Sequence, residues 1–193
     1  ANRMLILNRL RLNGSMSKAD LARELGMSFP AISANVKILI EQGRVKESGE
    51  GDNSLGRKST LLSFNEEMGV VVGVDVGRFW IRAMAADLLG KVLGYVKVPA
   101  VSNGNADELH DIVVGVIRQA LEKSGKSEDD ILCIGIGLPG VIKDDTILLA
   151  PYFPNINLKE FRNRIEEEFK TELILENSVN MGAIGELSEG AGK

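Results

Sequence analysis

The apolar and polar positions in the first part of the chain predict three helices. The first runs from about Arg3 to Leu12, where apolar residues recur at helical spacing before a Gly-Ser break. The second and third cover 18–25 and 28–42 and are separated by a short turn. The residues available for a shared core are Leu5, Ile6, Leu10 and Leu12 in the first helix, Leu21, Ala22 and Leu25 in the second, and Ile32, Val36, Leu39 and Ile40 in the third.

Capping residues support the boundaries of the second and third helices. Ser17 and Asp20 have the capping-box order at the start of the second helix, and Gly26 is suited to end it. Ser28 can cap the third helix, with Pro30 in its first turn, where no N–H is needed. The pattern is helix, tight turn, helix.

The third helix presents short polar side chains near its N-terminus, which is typical of a recognition helix that enters a major groove. Strands predicted at 44–47 and 58–64 flank the Gly/Ser/Asn-rich segment 48–57, so residues 1–64 are predicted to form a winged helix-turn-helix. A small three-helix bundle is the alternative for the helices, and a solvated loop is the alternative for the wing. The candidate DNA-binding residues are Ser28, Phe29, Pro30, Ser33 and Lys37 on the helix and Arg57 and Lys58 on the wing.

The rest of the chain, residues 65–193, alternates apolar runs with helical segments and predicts an α/β domain. Strands are predicted at 70–77, 80–86, 92–98, 131–136 and 172–176, and helices at 106–123, 158–170 and from about 180 to 187. The run 131–136 predicts a buried strand in which Cys133 is a small core residue. It leads into a loop at 137–140, where α/β sheets commonly bind ligands. His110 lies beside the apolar face of its helix, and we expect a solvated or capping histidine there.

Composition narrows the class of protein. The chain has 193 residues, 44% apolar and 26% charged, which is ordinary for one large or two small globular domains. One cysteine and one histidine exclude a disulfide scaffold and a self-contained zinc finger, and they weaken any Ser/His or Cys/His catalytic interpretation. We expect a cytoplasmic protein, because there is no signal peptide and no apolar run near the roughly 18 residues that a membrane span needs.

Charge is unevenly distributed along the chain. Residues 1–64 contain ten Lys/Arg and six Asp/Glu, a net charge of +4, whereas residues 65–193 contain thirteen and twenty-one, a net charge of −8. A basic head on an acidic body indicates that only the head meets a polyanion. Chance clustering of surface charge is the alternative.

Four short motifs follow the winged head in order. They are Val-Gly-Val-Asp-Val-Gly at 72–77, Gly-Ile-Gly-Leu-Pro-Gly at 135–140, Pro-Asn-Ile-Asn at 154–157 and Glu-Asn-Ser-Val-Asn at 176–180. Each is weak alone, but together they resemble the ROK family of bacterial sugar-responsive repressors and sugar kinases. The resemblance implies an α/β fold in which the winged helix-turn-helix precedes an actin/hexokinase-like (ribonuclease H-like) lobe.

The resemblance also implies partners. A homodimer would bind double-stranded operator DNA, and a sugar effector would bind near Gly140, Asn155 and Asn177. In the family a second lobe, which carries a zinc site, normally follows the lobe present here. The sequence stops before that lobe, so we expect a truncated chain with no cofactor or metal in the residues present.

Departures from the kinase pattern favour a regulator. The stretch 77–80, Gly-Arg-Phe-Trp, is bulky where ROK kinases have small residues beside phosphate, and Ser178 stands where they have the aspartate that takes the sugar proton. A serine hydroxyl is not a general base near pH 7, so no catalytic residue is assigned. The alternatives are a sugar kinase with an accessory DNA-binding head and a DNA-binding protein whose body binds no ligand.

Overall fold

The computed structural model describes residues 2–52, 58–100, 106–143, 146–149 and 156–189. The chain divides into two compact units, Ala1–Met68 and Gly69–Lys193. We refer to them as the N-terminal unit and the C-terminal unit.

The N-terminal unit consists of three helices and a small antiparallel sheet. Its elements are α1 (Asn2–Asn13), β1 (Met16–Ser17), α2 (Lys18–Leu25), α3 (Phe29–Glu41), β2 (Val45–Asp52) and β3 (Lys58–Phe64). The strand order is β1-β3-β2, so β2 and β3 form a hairpin whose inner strand also pairs with β1. Its core is formed by Ile6, Leu7, Leu10, Met16, Leu21, Ile32, Val36, Leu39, Val45 and Leu62. This arrangement confirms the predicted winged helix-turn-helix.

Local side-chain chemistry sets the ends of α2 and α3. The Ser17 hydroxyl accepts the Asp20 N–H at 3.1 Å and donates to the Asp20 carboxylate at 2.7 Å. The Ser17 hydroxyl, with Arg23 nearby, holds the pKa of Asp20 below its ordinary value. Gly26 ends α2 in the left-handed conformation, with φ 63°, and the Ser28 hydroxyl accepts the Ala31 N–H at the start of α3. The predicted caps are therefore confirmed.

Two expectations for the N-terminal unit are wrong. In α1, Leu5 and Leu12 are 50% and 70% exposed, while Leu7 is buried. The wing strand β2 also continues to Asp52, beyond its predicted end at 47. Gly49, with φ 126°, absorbs a bulge in β2, and pairing with β3 then holds this polar, glycine-containing segment extended.

The C-terminal unit is built on a five-stranded sheet. Its elements are β4 (Val70–Val76), β5 (Trp80–Ala86), β6 (Val92–Pro99), α4 (Ala106–Ser124), a 3₁₀ turn (Glu128–Asp130), β7 (Ile131–Leu138), β8 (Val141–Lys143), β9 (Thr146–Leu149), α5 (Leu158–Phe169), β10 (Leu173–Asn177) and α6 (Ser178–Glu189). The order is β10-β7-β4-β5-β6, antiparallel through β4, β5 and β6 and parallel through β4, β7 and β10. This topology is ribonuclease H-like, as the resemblance implies.

One face of this sheet forms the main core with α4 and α5. Alternate residues of β4, from Val70 to Val76, are buried there together with Ile134 and Ile136 of β7. The edge strand β6 approaches α4 closely at Gly94, where a Cβ would overlap the carbonyl oxygen of Ala120. A side chain at position 94 would therefore push the helix off the sheet.

The opposite face is open, which contradicts the prediction of a buried strand at 131–136. Leu132 is 42% exposed, and Val71 and Ile174 on the neighbouring strands are 37% and 50% exposed. The unbroken apolar run suggested burial on both faces, but only the face toward α4 and α5 is fully covered. Cys133 is accordingly half-buried, and this burial, with the Glu172 carboxylate, raises the pKa of its thiol.

Two further features differ from the sequence analysis. The β8–β9 hairpin was not anticipated within 141–149. His110 is not solvated, because only 12% of its side chain is exposed and its ring meets Phe161 edge-on. None of the helices in the described part of the chain has the length and apolar content to cross a bilayer.

Candidate functional site

The outer surface of α3 carries the predicted DNA-binding residues of the helix. Ser28, Phe29, Pro30 and Lys37 are exposed and Ser33 is half-buried, while Ile32, Val36 and Leu39 face the core. The Phe29 ring, 55% exposed, is an apolar group of the kind that contacts thymine methyls. The Lys37 side chain is 78% exposed and lies 3.9 Å from Glu41, a weak surface pair that leaves the ammonium accessible. The helix thus presents an aromatic ring, a hydroxyl group and an ammonium group on its outer side.

The wing places its two predicted residues differently. Lys58 begins β3 opposite Asp52, and only its backbone is described. Arg57 lies outside the described residues. Both remain predictions as DNA contacts.

A second candidate site lies where three parallel strands of the C-terminal unit end. Since β4, β7 and β10 are neighbours running in one direction, their carboxyl ends share one edge of the sheet. The register pairs Asp75 with Gly137, and Asn177 with Leu138. Gly140 lies two residues beyond the end of β7. Residues far apart in the sequence are brought together here.

Asn177 and Gly140, two of the three predicted sugar-binding residues, are in direct contact. The Asn177 side-chain N–H donates to the Gly140 carbonyl, and its Oδ1 accepts the N–H groups of Val179 and Asn180 at 2.8 and 3.2 Å. Asn177 therefore caps α6 and ties it to the loop after β7. Asn155, the third predicted residue, lies outside the described part of the chain.

This double role makes Asn177 important for stability. We expect Asn177→Ala to lower the free energy of unfolding of the C-terminal unit by about 1–2 kcal/mol, because the first turn of α6 loses its cap. Asn177→Asp should lose less, since its carboxylate can still accept the Val179 and Asn180 N–H groups. Urea unfolding followed by circular dichroism measures both, with Asn163→Ala on the exposed surface of α5 as the control. Equal stability of Asn177→Ala and Asn163→Ala would contradict the capping role.

A cleft of about 460 Å³ lies on the open face of the sheet beside α6. Its polar groups include an ion pair in which Arg82 donates to the Asp75 carboxylate at 2.7 Å across the β4–β5 pairing. Ser178, the first residue of α6, also lines the cleft. Arg82 is not among the residues predicted from the sequence, although antiparallel pairing of β4 and β5 places it opposite Asp75. In the described part of the chain, no three acidic, His or Cys side chains are grouped to hold a metal ion.

The turn between β4 and β5 is bulky, as its sequence indicates. The Gly77 N–H donates to the Trp80 carbonyl at 2.9 Å and closes a tight turn. The Phe79 side chain is 67% exposed, and the ammonium of Lys97 lies 4.2 Å from the centre of the Trp80 ring. Large aromatic and basic groups therefore surround the end of β4.

Comparison with known proteins relates both units to established families. A winged helix-turn-helix DNA-binding family model matches residues 1–46, and a ROK family model matches residues 71–193. The xylose repressor of Bacillus spizizenii is 32% identical over 195 aligned positions, covering 100% of this chain and 50% of the repressor. The chain spans about half the length of the curated relatives that match it over its full extent.

Two solved structures show the same architecture. A ROK family transcriptional regulator, a homologue of the E. coli MLC protein, superimposes with a TM-score of 0.71 and 18% identity over 96% of this chain and 48% of the regulator. A ROK family glucokinase from Streptomyces griseus has a TM-score of 0.56 and 28% identity over 65% of this chain and 38% of the kinase. The ROK model covers more than half of the chain, and the predicted motifs lie within that match. The chain belongs to the ROK family.

Proposed function

We propose that this chain is a sugar-responsive DNA-binding regulator, a repressor of genes for carbohydrate use. The N-terminal unit binds operator DNA through Ser28, Phe29, Pro30, Ser33 and Lys37 of α3, with Arg57 and Lys58 on the wing. The C-terminal unit binds a sugar near Gly140, Asn155 and Asn177. As a homodimer the protein would place two α3 helices on a pseudo-palindromic site, and the sugar would favour one arrangement of the protein over another.

The exposed surface of α3 is the observation that carries this proposal. A helix whose buried side completes the core and whose outer side presents Phe29, Ser33 and Lys37 is suited to a major groove. The net charge of +4 on residues 1–64 favours a polyanion at this unit, while the net charge of −8 on the remainder does not. The names of the relatives make xylose the first sugar to test.

The second candidate function, sugar phosphorylation, is supported by the likeness to glucokinases but not by the chemistry of the cleft. The family resemblance implies that Ser178, which lines the cleft, replaces the carboxylate base of the kinases. The Asp75 carboxylate accepts a hydrogen bond from Arg82. Losing a positioned base removes about 10²–10⁴-fold in rate. The site is therefore suited to binding without turnover.

We expect no ATP-dependent phosphorylation of xylose or glucose by this chain. Ser178→Asp should restore little, because Phe79, Trp80 and the Arg82–Asp75 pair still surround the end of β4. A coupled assay for ADP release measures both proteins, with a bacterial glucokinase as the positive control. Robust turnover by the unchanged chain would instead support the kinase.

Selection of bound duplexes from a random pool, with and without sugars, tests the proposed function. We expect enrichment of one sequence class in the absence of sugar, and altered recovery when the effector is present. The same selection with Phe29→Ala should lose this enrichment, because that variant removes a proposed DNA contact from the exposed side of α3 without touching the core. Recovery of unrelated sequences only would contradict specific DNA binding.

A further inference from the structure

The segment that follows β3 is bonded to the C-terminal end of α3. The Asn65 backbone N–H donates to the Arg44 carbonyl at 3.0 Å, and its side-chain N–H donates to the Gly43 carbonyl at 2.7 Å. Gly43 and Arg44 follow the end of α3, and their N–H groups donate back to the carbonyls of Ile40 and Leu39 in its last turn. One asparagine thus satisfies two carbonyls at the end of the helix.

The next residues have a second anchor. The Lys46 ammonium lies 3.1 Å from a carboxylate oxygen of Glu66 and 4.0 Å from one of Glu67. The backbone N–H of Glu66 and the Lys46 ammonium lower the pKa of the Glu66 carboxyl, so this carboxyl is ionised at neutral pH. We call residues 65–68 the connector.

The C-terminal unit fixes the chain immediately after the connector. Gly69 is buried, and a Cβ there would lie 2.6 Å from the Leu132 side chain and 2.9 Å from the Asp130 carbonyl oxygen. Val70 then begins β4 beside Ile131. The connector is therefore hydrogen-bonded to the residues that follow α3, and it leads through the closely packed Gly69 into β4.

We propose that Asn65 is a positioning residue that couples the recognition helix α3 to the C-terminal unit. The inference rests on the proposed function, in which α3 binds DNA and the C-terminal unit binds the effector. Because Asn65 holds the connector to the end of α3, a restraint on α3 is transmitted to the residues that lead into β4. The same bonds carry a displacement of β4 back to α3, since coupling between two sites is reciprocal.

Amide hydrogen exchange with and without a saturating duplex of about 20 base pairs tests this directly. We expect DNA to slow exchange in α3 and, by about tenfold, at residues 66–70 of the unchanged chain. In Asn65→Ala, α3 should still be protected by DNA, but exchange at 66–70 should change by less than about twofold. Lys46→Met keeps the aliphatic part of the side chain but removes the ion pair with Glu66. Its DNA-dependent slowing of exchange at 66–70 should be intermediate between that of the unchanged chain and that of Asn65→Ala.

Asn13→Ala is the matched control. Its side-chain N–H donates to Glu24 at 3.1 Å on the surface of the same unit, so it should behave like the unchanged chain. Equal DNA-dependent slowing at 66–70 in all variants would overturn the role of Asn65 while leaving DNA binding intact. The role of Asn65 would also be overturned if DNA slowed amide exchange only in α3 of the unchanged chain. Absence of protection in α3 itself would overturn the proposed function and, with it, this inference.

Discussion

Replacing Lys37 with glutamate is expected to weaken duplex binding by about 10–100-fold, because a phosphate-binding cation becomes an anion beside the DNA backbone. The Lys37 side chain is 78% exposed and its ammonium lies 3.9 Å from the Glu41 carboxylate, so the fold should tolerate the change. The dependence of affinity on salt should also become shallower by about one unit of slope. Fluorescence anisotropy titrations at several salt concentrations measure both quantities.

The matched control for this variant is Lys159→Glu, which makes the same charge change on an exposed position of α5 in the C-terminal unit. It should alter affinity and salt dependence only slightly. If the two variants weaken binding equally, the effect arises from net charge, and α3 is not the DNA-binding surface.

Gly94→Ala is expected to destabilise the C-terminal unit by about 3 kcal/mol or more, the upper end of the usual cost of overpacking. The added Cβ would overlap the Ala120 carbonyl and lie 2.9 Å from the Ser124 amide nitrogen, both of which are backbone atoms of α4. Backbone cannot rotate aside as a side chain can, so α4 or β6 must move. Urea unfolding, followed by the fluorescence of Trp80 in the same unit, measures the loss.

Gly73→Ala provides the comparison in the same sheet. A Cβ at Gly73 in β4 meets nothing within 4 Å, so this variant should cost little or even stabilise the strand. Similar losses in both variants would show that glycine flexibility, and not the approach of β6 to α4, explains the effect.

Local chemistry made much of the N-terminal unit predictable. The cap at Ser17, the stop at Gly26 and the cap at Ser28 each act within four residues, so a sequence contains all the information they need. Which residues of α1 are buried was less predictable, because its own apolar residues are distributed around the whole helix. Tertiary contacts, not periodicity, select Leu7 over Leu5 and Leu12 for the core.

The strands of the C-terminal unit show a different limit. Their apolar runs located them well, but such runs cannot tell which face a neighbour covers, as the exposure of Leu132 and Ile174 shows. The predicted wing strand ended at residue 47, too early, because the following Ser-Gly-Glu-Gly segment has low strand propensity. Pairing with β3 holds that segment in the strand.

The sequence motifs predicted part of the candidate site. The resemblance put Gly140 and Asn177 in one site, and the structure shows them bonded to each other. It did not indicate that Asn177 also caps α6, nor that Arg82 faces Asp75. Both depend on strand register and on where a helix begins, which no single motif encodes.

The central claim is that a sugar alters the affinity of this chain for its operator. Anisotropy titration of the selected operator duplex, with and without xylose and other aldoses at fixed salt, tests it most directly. We predict that one sugar shifts the operator Kd by at least about fivefold, the lower end of ordinary allosteric coupling, and leaves binding to a scrambled duplex unchanged. An operator Kd that is the same with every sugar would contradict the account.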